Sequence, residues 1–160
     1  MAVAVGDRVP DVGLTTMTKD GLKKIGSGEA LGTGKVVLFA VPGAFTPTCS
    51  DHHLPGFVVR AAEFKDKGVD TVACISVNDA FVMGAWGGAQ EVGDSVLMLA
   101  DGNGEFASAM GLEMDGSGVG LGRRSQRYAA VIEDGVVTAL FVEPGPGLTV
   151  SSAESVLQTL

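Results

Sequence analysis

Val36-Val-Leu-Phe-Ala-Val41 is an unbroken apolar run that stops at Pro42 and Gly43. A strand with one wet face alternates apolar and polar residues. This run does not, so it predicts a strand covered on both faces. Such a strand belongs inside a sheet with helices on either side. Thr71-Val-Ala-Cys-Ile-Ser-Val77 and Val96-Leu-Met-Leu99 predict two more central strands. The segments between them carry helical spacing: Leu54, Phe57, Val58, Ala61, Ala62 and Phe64, then Phe81, Val82, Ala85 and Trp86.

The first of these helices is expected from about Thr48 to Lys67, with Pro55 as a possible kink and Gly68 as its C-cap. The second is capped by Asn78-Asp79 and ends near Gln90. Asp101-Gly-Asn-Gly is a turn and Phe106–Met110 a short helix. Glu133-Asp-Gly135 joins Arg127–Ile132 to Val136–Val142 in a hairpin. Glu143–Gly147 is a turn, and Ser151-x-x-Glu154 is a capping box before a last helix. Upstream, residues 1–13 suggest an edge segment, Gly13–Thr16 a short strand and Ser27–Leu31 a helical turn. Glu113–Gly122 is a Gly-rich loop. The order β-α-β-α-β, hairpin, helix predicts a single α/β domain over 1–160, a mixed central sheet with helices on both faces.

Charge and composition exclude several classes of function. Apolar residues are 46% of the chain and charged ones 19%, so the chain buries a core and is not disordered. The net charge of −8 disfavours nucleic acid. No apolar run reaches the roughly 18 residues a membrane helix needs. Met1–Asp7 lacks the pattern of a secretory signal, and a transit peptide, if one exists, lies outside this sequence. The cysteines Cys49 and Cys74 fit a reducing compartment. No zinc spacing is present. Cys49, His52 and His53 could share a helix face at i, i+3 and i+4 as a metal site; both histidines are otherwise expected on the helix surface.

Cys49 sits where the first central strand has broken and a helix begins. Free N–H groups and the positive end of the helix dipole gather there, and both favour a thiolate. A free thiol is only a few per cent thiolate at neutral pH, and a helix terminus supplies roughly 0.3–1 kcal/mol. A nearby cation is needed for the rest. Arg123-Arg124-Ser-Gln-Arg127 offers one, since guanidinium stays charged and presents several donors. Thr46 adds a hydroxyl three residues before the thiol.

Pro42-x-x-x-Thr46-x-x-Cys49 resembles the active-site motif of the peroxiredoxins. Cys74-Ile-Ser-Val-Asn-Asp-Ala-Phe-Val82, Gly120-Leu-Gly-Arg-Arg-Ser-Gln-Arg127-Tyr and Thr149-Val-Ser-Ser-Ala-Glu154 are similar to the type II (five-class) branch. Asp101-Gly-Asn-Gly-Glu-Phe106 and the Arg-Ser-x-Arg-Tyr run lean toward its plant and algal plastid form. The resemblance implies a thioredoxin-like fold and a thiol-dependent peroxidase without a cofactor, acting on hydrogen peroxide and small alkyl hydroperoxides. Cys49 would be the peroxidatic cysteine, Thr46 and Arg127 would stabilise charge, and Pro42 would shield the sulfur. Arg123 and Arg124 would take supporting or surface roles. A homodimer and the chloroplast stroma, or alternatively the cytoplasm, are implied in the same way.

The recycling route stays open. Gly147-Leu-Thr149 is followed by Val150, where animal members carry a resolving cysteine. Either Cys74 resolves Cys49, or glutathione with glutaredoxin, or thioredoxin, attacks the sulfenic acid directly. Cys74 lies mid-strand, where a buried structural thiol is the ordinary expectation. Two rival readings are a cysteine hydrolase using His52 or His53 as base, and a redox-sensing or holdase interaction protein. Against the hydrolase, no histidine exists apart from the turn that follows Cys49. Trp86, Met83, Met98, Met110 and Met114 are expected in the core or an interface.

Overall fold

A computed structural model describes residues 2–145 and 147–160. The elements are β1 (Gly13–Thr18), β2 (Gly21–Gly26), α1 (Ser27–Leu31), β3 (Lys35–Ala40), a π-helical turn (Cys49–His53), α2 (Leu54–Val59), α3 (Ala61–Asp66), β4 (Thr71–Ser76), α4 (Ala80–Ala89), β5 (Leu97–Ala100), α5 (Glu105–Met110), β6 (Glu113–Asp115), a 3₁₀ turn (Ser117–Val119), β7 (Arg123–Ser125), β8 (Tyr128–Glu133), β9 (Val136–Val142) and α6 (Ala153–Leu157). The main sheet runs β2-β1-β5-β4-β3-β8-β9, with β5, β4 and β3 mutually parallel and the rest antiparallel. This is the expected mixed sheet of a thioredoxin-like α/β fold.

The unalternating apolar run does what its composition demands. Val37, Phe39 and Val41 pack with Leu54, Phe57, Phe64, Met83, Trp86 and Val156 on one face. Val36, Leu38 and Ala40 pack with Leu31, Phe106 and Met110 on the other. Each large side chain taken from water contributes about 1.5–3 kcal/mol, so neither face can be left open. Cys74 and Ala129 fall on the first face, the face of Cys49.

The hairpin turn forms as its sequence requires: Asp134 (φ 49) and Gly135 (φ 83) take the paired positive φ of a primed turn. A bulge follows, pairing Val131 with Ala139 but Ile132 with Val137, so Thr138 is the extra residue. The bulge sends Val137 to the second face and Ala139 and Phe141 to the first. It also makes Glu143 the rung opposite Arg127, with Glu143 N–H donating to the Arg127 carbonyl at 3.0 Å.

Several expectations are corrected. Lys23 and Lys24 mask a real strand, β2, none of whose residues is buried and which lacks the apolar signature of the core. The long helix after Cys49 opens with a π-helical turn that passes into α2 beside Pro55, and it is interrupted again at Arg60 (φ −100, ψ 13). Gly68 does close α3, at φ 85. The Gly-rich loop begins with β6, which pairs with β7 just beyond its end in a small ribbon. The cap of α6 is Ser152, which accepts from Ser155 N–H; Ser151 is committed elsewhere. Of the Glu143–Gly147 turn, Pro146 lies outside the described residues, as does Met1 of the first segment.

Candidate active site

β3 ends beneath the site, and the chain turns through Val41–Thr48 before the helical run begins. Val41 N–H still donates to the Ile75 carbonyl at 3.1 Å, which fixes where the turn leaves the sheet. Phe45 adopts φ 66, a conformation rarely open to a bulky residue, and its neighbour Ala44 N–H donates to Asn78 Oδ1 at 3.0 Å. The turn carries Thr46 back over the first residue of the π-helical segment, a geometry that recurs at functional sites.

Cys49 is fully buried. Its Sγ lies 2.9 Å from Thr46 Oγ1 and accepts from Arg127 Nη2 at 3.1 Å. Thr46 Oγ1 also lies 2.7 Å from the Gly43 carbonyl. One hydroxyl proton serves both states of the sulfur. With a thiol, the S–H donates to Oγ1 and Oγ1–H to Gly43; with a thiolate, Oγ1–H turns to sulfur. Arg127 stands one residue before β8, on the face of Cys49, and is buried. Its Nε is buried with no partner among the described residues. Such a donor costs about 1–3 kcal/mol until something accepts from it.

His53 overturns the expectation of a surface residue. It is fully buried, while His52 is exposed. Arg127 Nη1 donates to His53 Nδ1 at 2.9 Å, and Nε2 lies 2.9 Å from the Ser151 carbonyl. Arginine only donates and a carbonyl only accepts, so the ring is neutral with its proton on Nε2. Burial first, and then the Arg127 charge, bring its pKa down to about 3. The i, i+4 spacing from Cys49 was the available signal, since it places both residues on one helix face. Both ring nitrogens are engaged, and neither serves as a base for Cys49 or as a metal ligand.

Arg123 is exposed and 3.5 Å from Glu113. Arg124 is half-buried: its Nε donates to the Leu121 carbonyl at 2.8 Å and its Nη1 to the Pro42 carbonyl at 3.3 Å. Pro42 is half-buried beside the site. Cys74 is fully buried next to Phe39 in the β3–β4 ladder. Burial, and then the proximity of Cys49, push its thiol pKa well up. Trp86 is core, as expected, and its Nε1–H donates to Ser50 Oγ at 3.0 Å.

A buried sulfur faced by a fixed cation and a hydroxyl is equipped to attack a neutral electrophile and to hold the anion that leaves. No helix of the described residues is long and apolar enough to cross a membrane. The Redoxin family model matches residues 4–157. The chain is 53% identical over 163 residues to Peroxiredoxin-2E-2, chloroplastic, of Oryza sativa subsp. japonica, covering 99% of this chain and 72% of that protein. It is 48% identical over 159 residues to Peroxiredoxin-2B of Arabidopsis thaliana, covering 99% and 98%. The crystal structure of reduced Prx3 in complex with H₂O₂ from Vibrio vulnificus superposes with a TM-score of 0.94 at 53% identity, covering 98% of each chain. With these likenesses running the length of the fold and its thiol site, the chain belongs to the Redoxin family as a type II peroxiredoxin, a thiol-dependent peroxidase.

Proposed function

We propose that Cys49 is the peroxidatic cysteine and that Thr46, Arg127 and Pro42 complete its site. The observation that carries this is the convergence of Thr46 Oγ1 and Arg127 Nη2 on one sulfur, at 2.9 and 3.1 Å. The thiolate attacks one peroxide oxygen: an S–O bond forms, the O–O bond breaks, sulfur is oxidised by two electrons to sulfenic acid and the peroxide is reduced. Hydroxide or alkoxide leaves and takes a proton from solvent. Arg127 spans sulfur and departing oxygen, and its unpartnered Nε is a donor available to such an oxygen. Pro42 limits water at the sulfur. No cofactor takes part. His53, already neutral and hydrogen-bonded to Arg127, leaves a hydrolase without its base.

Recycling runs through an external thiol. The raised pKa and full burial of Cys74 support a structural thiol rather than a resolver. Glutathione with glutaredoxin attacks the sulfenic acid, displacing water and leaving a mixed disulfide that a second thiol reduces; thioredoxin is the alternative donor. The working form is a homodimer. The chloroplast stroma is the compartment, supported by the chloroplastic name of the rice relative, with the cytoplasm as alternative because the Arabidopsis 2B relative carries no such name.

The test is hydrogen peroxide consumption by the purified protein with glutathione and glutaredoxin, or with thioredoxin. Turnover that is lost in Cys49→Ser and retained in Cys74→Ser is the expected result. Stoichiometric oxidation without turnover under every reductant would favour the sensor reading.

A further inference from the structure

Glu143 is a buried carboxylate that the peroxide chemistry does not use. It stands directly across the hairpin from Arg127, yet no Glu143–Arg127 ion pair forms among the described residues. Its oxygens turn instead to the chain that follows. Thr149 N–H lies 3.0 Å from both Oε1 and Oε2, and Thr149 Oγ1–H donates to Oε1 at 2.7 Å. Val150 N–H and Ser151 N–H each donate to Oε2 at 2.8 Å, and Ser151 Oγ–H donates to it at 2.7 Å. Three consecutive backbone N–H groups are thereby gathered on one carboxylate.

The turn so formed aims the Ser151 carbonyl at His53 Nε2, at 2.9 Å. That contact places the ring proton on Nε2 and leaves Nδ1 as the acceptor for Arg127, 2.9 Å away. Arg127 in turn reaches Sγ of Cys49. The indirection has a physical reason. A carboxylate bound straight to Arg127 would neutralise the charge the site needs, whereas a neutral imidazole orients the guanidinium and leaves its charge available.

We infer that Glu143 is a positioning residue for Arg127, acting through the Thr149–Ser151 turn and the His53 tautomer. This inference rests on the assignment of Cys49 and Arg127 to the peroxide step.

The test is a double-mutant cycle on the oxidation of Cys49 by hydrogen peroxide, followed by stopped-flow fluorescence of Trp86. Glu143→Gln places a donor among the N–H groups and is expected to slow oxidation by about 10²-fold, the scale of a misplaced catalytic group. The reductant-dependent step should be unchanged. In an Arg127→Ala background the same substitution should add nothing further. Thr149→Val, which removes only one hydroxyl donor, should act in the same direction to a smaller extent, and it keeps the test in hand if Glu143→Gln does not fold. The ¹⁵N shifts of His53 should show Nε2 losing its proton preference in either variant. Equal slowing in wild-type and Arg127→Ala backgrounds, or full speed in both folded single variants, would overturn the inference. An Arg127→Ala protein that oxidises at the wild-type rate would overturn the peroxide-site assignment as well.

Discussion

Arg127 is oriented by His53, a neutral ring, and not by a carboxylate: Nη1 donates to Nδ1 at 2.9 Å while Nη2 reaches Sγ of Cys49 at 3.1 Å. The guanidinium is thus fixed in plane by one neighbour and spends its charge on the other. In the proposed peroxide step, a sulfur that becomes anionic, and then an oxygen that leaves as an anion, would meet a cation already in place and already desolvated.

His53→Leu removes the Nδ1 acceptor and leaves a buried Arg127 donor unmatched. Oxidation of Cys49 by hydrogen peroxide should slow by about 10²-fold. His53→Gln offers a neutral acceptor of similar reach and should recover part of that loss. Stopped-flow rates on both variants decide it: equal rates for Leu and Gln would mean that His53 fills space and does not orient Arg127.

Arg127→Ala and Thr46→Val each remove one of the two groups that converge on Sγ. Each should cut the second-order rate with hydrogen peroxide by roughly 10²–10⁴ while the circular dichroism spectrum stays that of the wild type. Thr46→Val is the cleaner probe because valine keeps the shape and loses only the hydroxyl. A near-normal rate in either variant removes that residue from the site.

Much of this is legible in the sequence alone. Val36–Val41 announced a strand with two covered faces, and Pro42-x-x-x-Thr46-x-x-Cys49 announced the thiol, because short-range patterns in the chain determine both. The other half of the site was harder to see. Glu143 shares a face with Arg127 only because Thr138 bulges out of β9, and no residue type marks that single-residue slip. Ser151 resembled a helix cap because its spacing to Glu154 fits one; the buried carboxylate of Glu143, eight residues upstream, won the hydroxyl instead. His53 carried the right helical spacing from Cys49. Its partner, however, lies 74 residues away, beyond the reach of local periodicity.

Cys74 is fully buried and burial raises its thiol pKa, which supports the proposed reading of it as a structural thiol. Cys74→Ser should therefore leave turnover with glutathione and glutaredoxin unchanged. It should also lower stability by roughly 1–3 kcal/mol, since a hydroxyl in an apolar site lacks a partner. Denaturant unfolding and peroxide consumption on the same preparation separate the two effects. A folded variant that loses turnover would make Cys74 the resolving thiol.

Acid should destabilise the protein in two stages set by His53 and Glu143. His53 is held near pKa 3, against an ordinary 6.5, by burial and the Arg127 charge. The unfolded chain therefore binds a proton that the folded chain refuses. Stability is complete above about pH 6.5 and falls by about 1.4 kcal/mol per pH unit down toward pH 3. Glu143 is opposed by burial, but the hydrogen bonds from Thr149, Ser151 and Val150 outweigh it and bring its pKa to about 2 from 4.5. Its contribution is intact above about pH 4.5 and is lost below that, so the slope steepens there. Asp101 acts with the opposite sign, because burial raises its pKa above 3.8 and the folded state gains a proton first. Urea unfolding at about pH 7, about pH 5.5 and about pH 4 measures the profile. His53→Gln, which cannot titrate, should flatten it between about pH 6.5 and 4.5 and leave the steeper fall below. Parallel losses in wild type and variant across that upper window would show that His53 is not the group responsible.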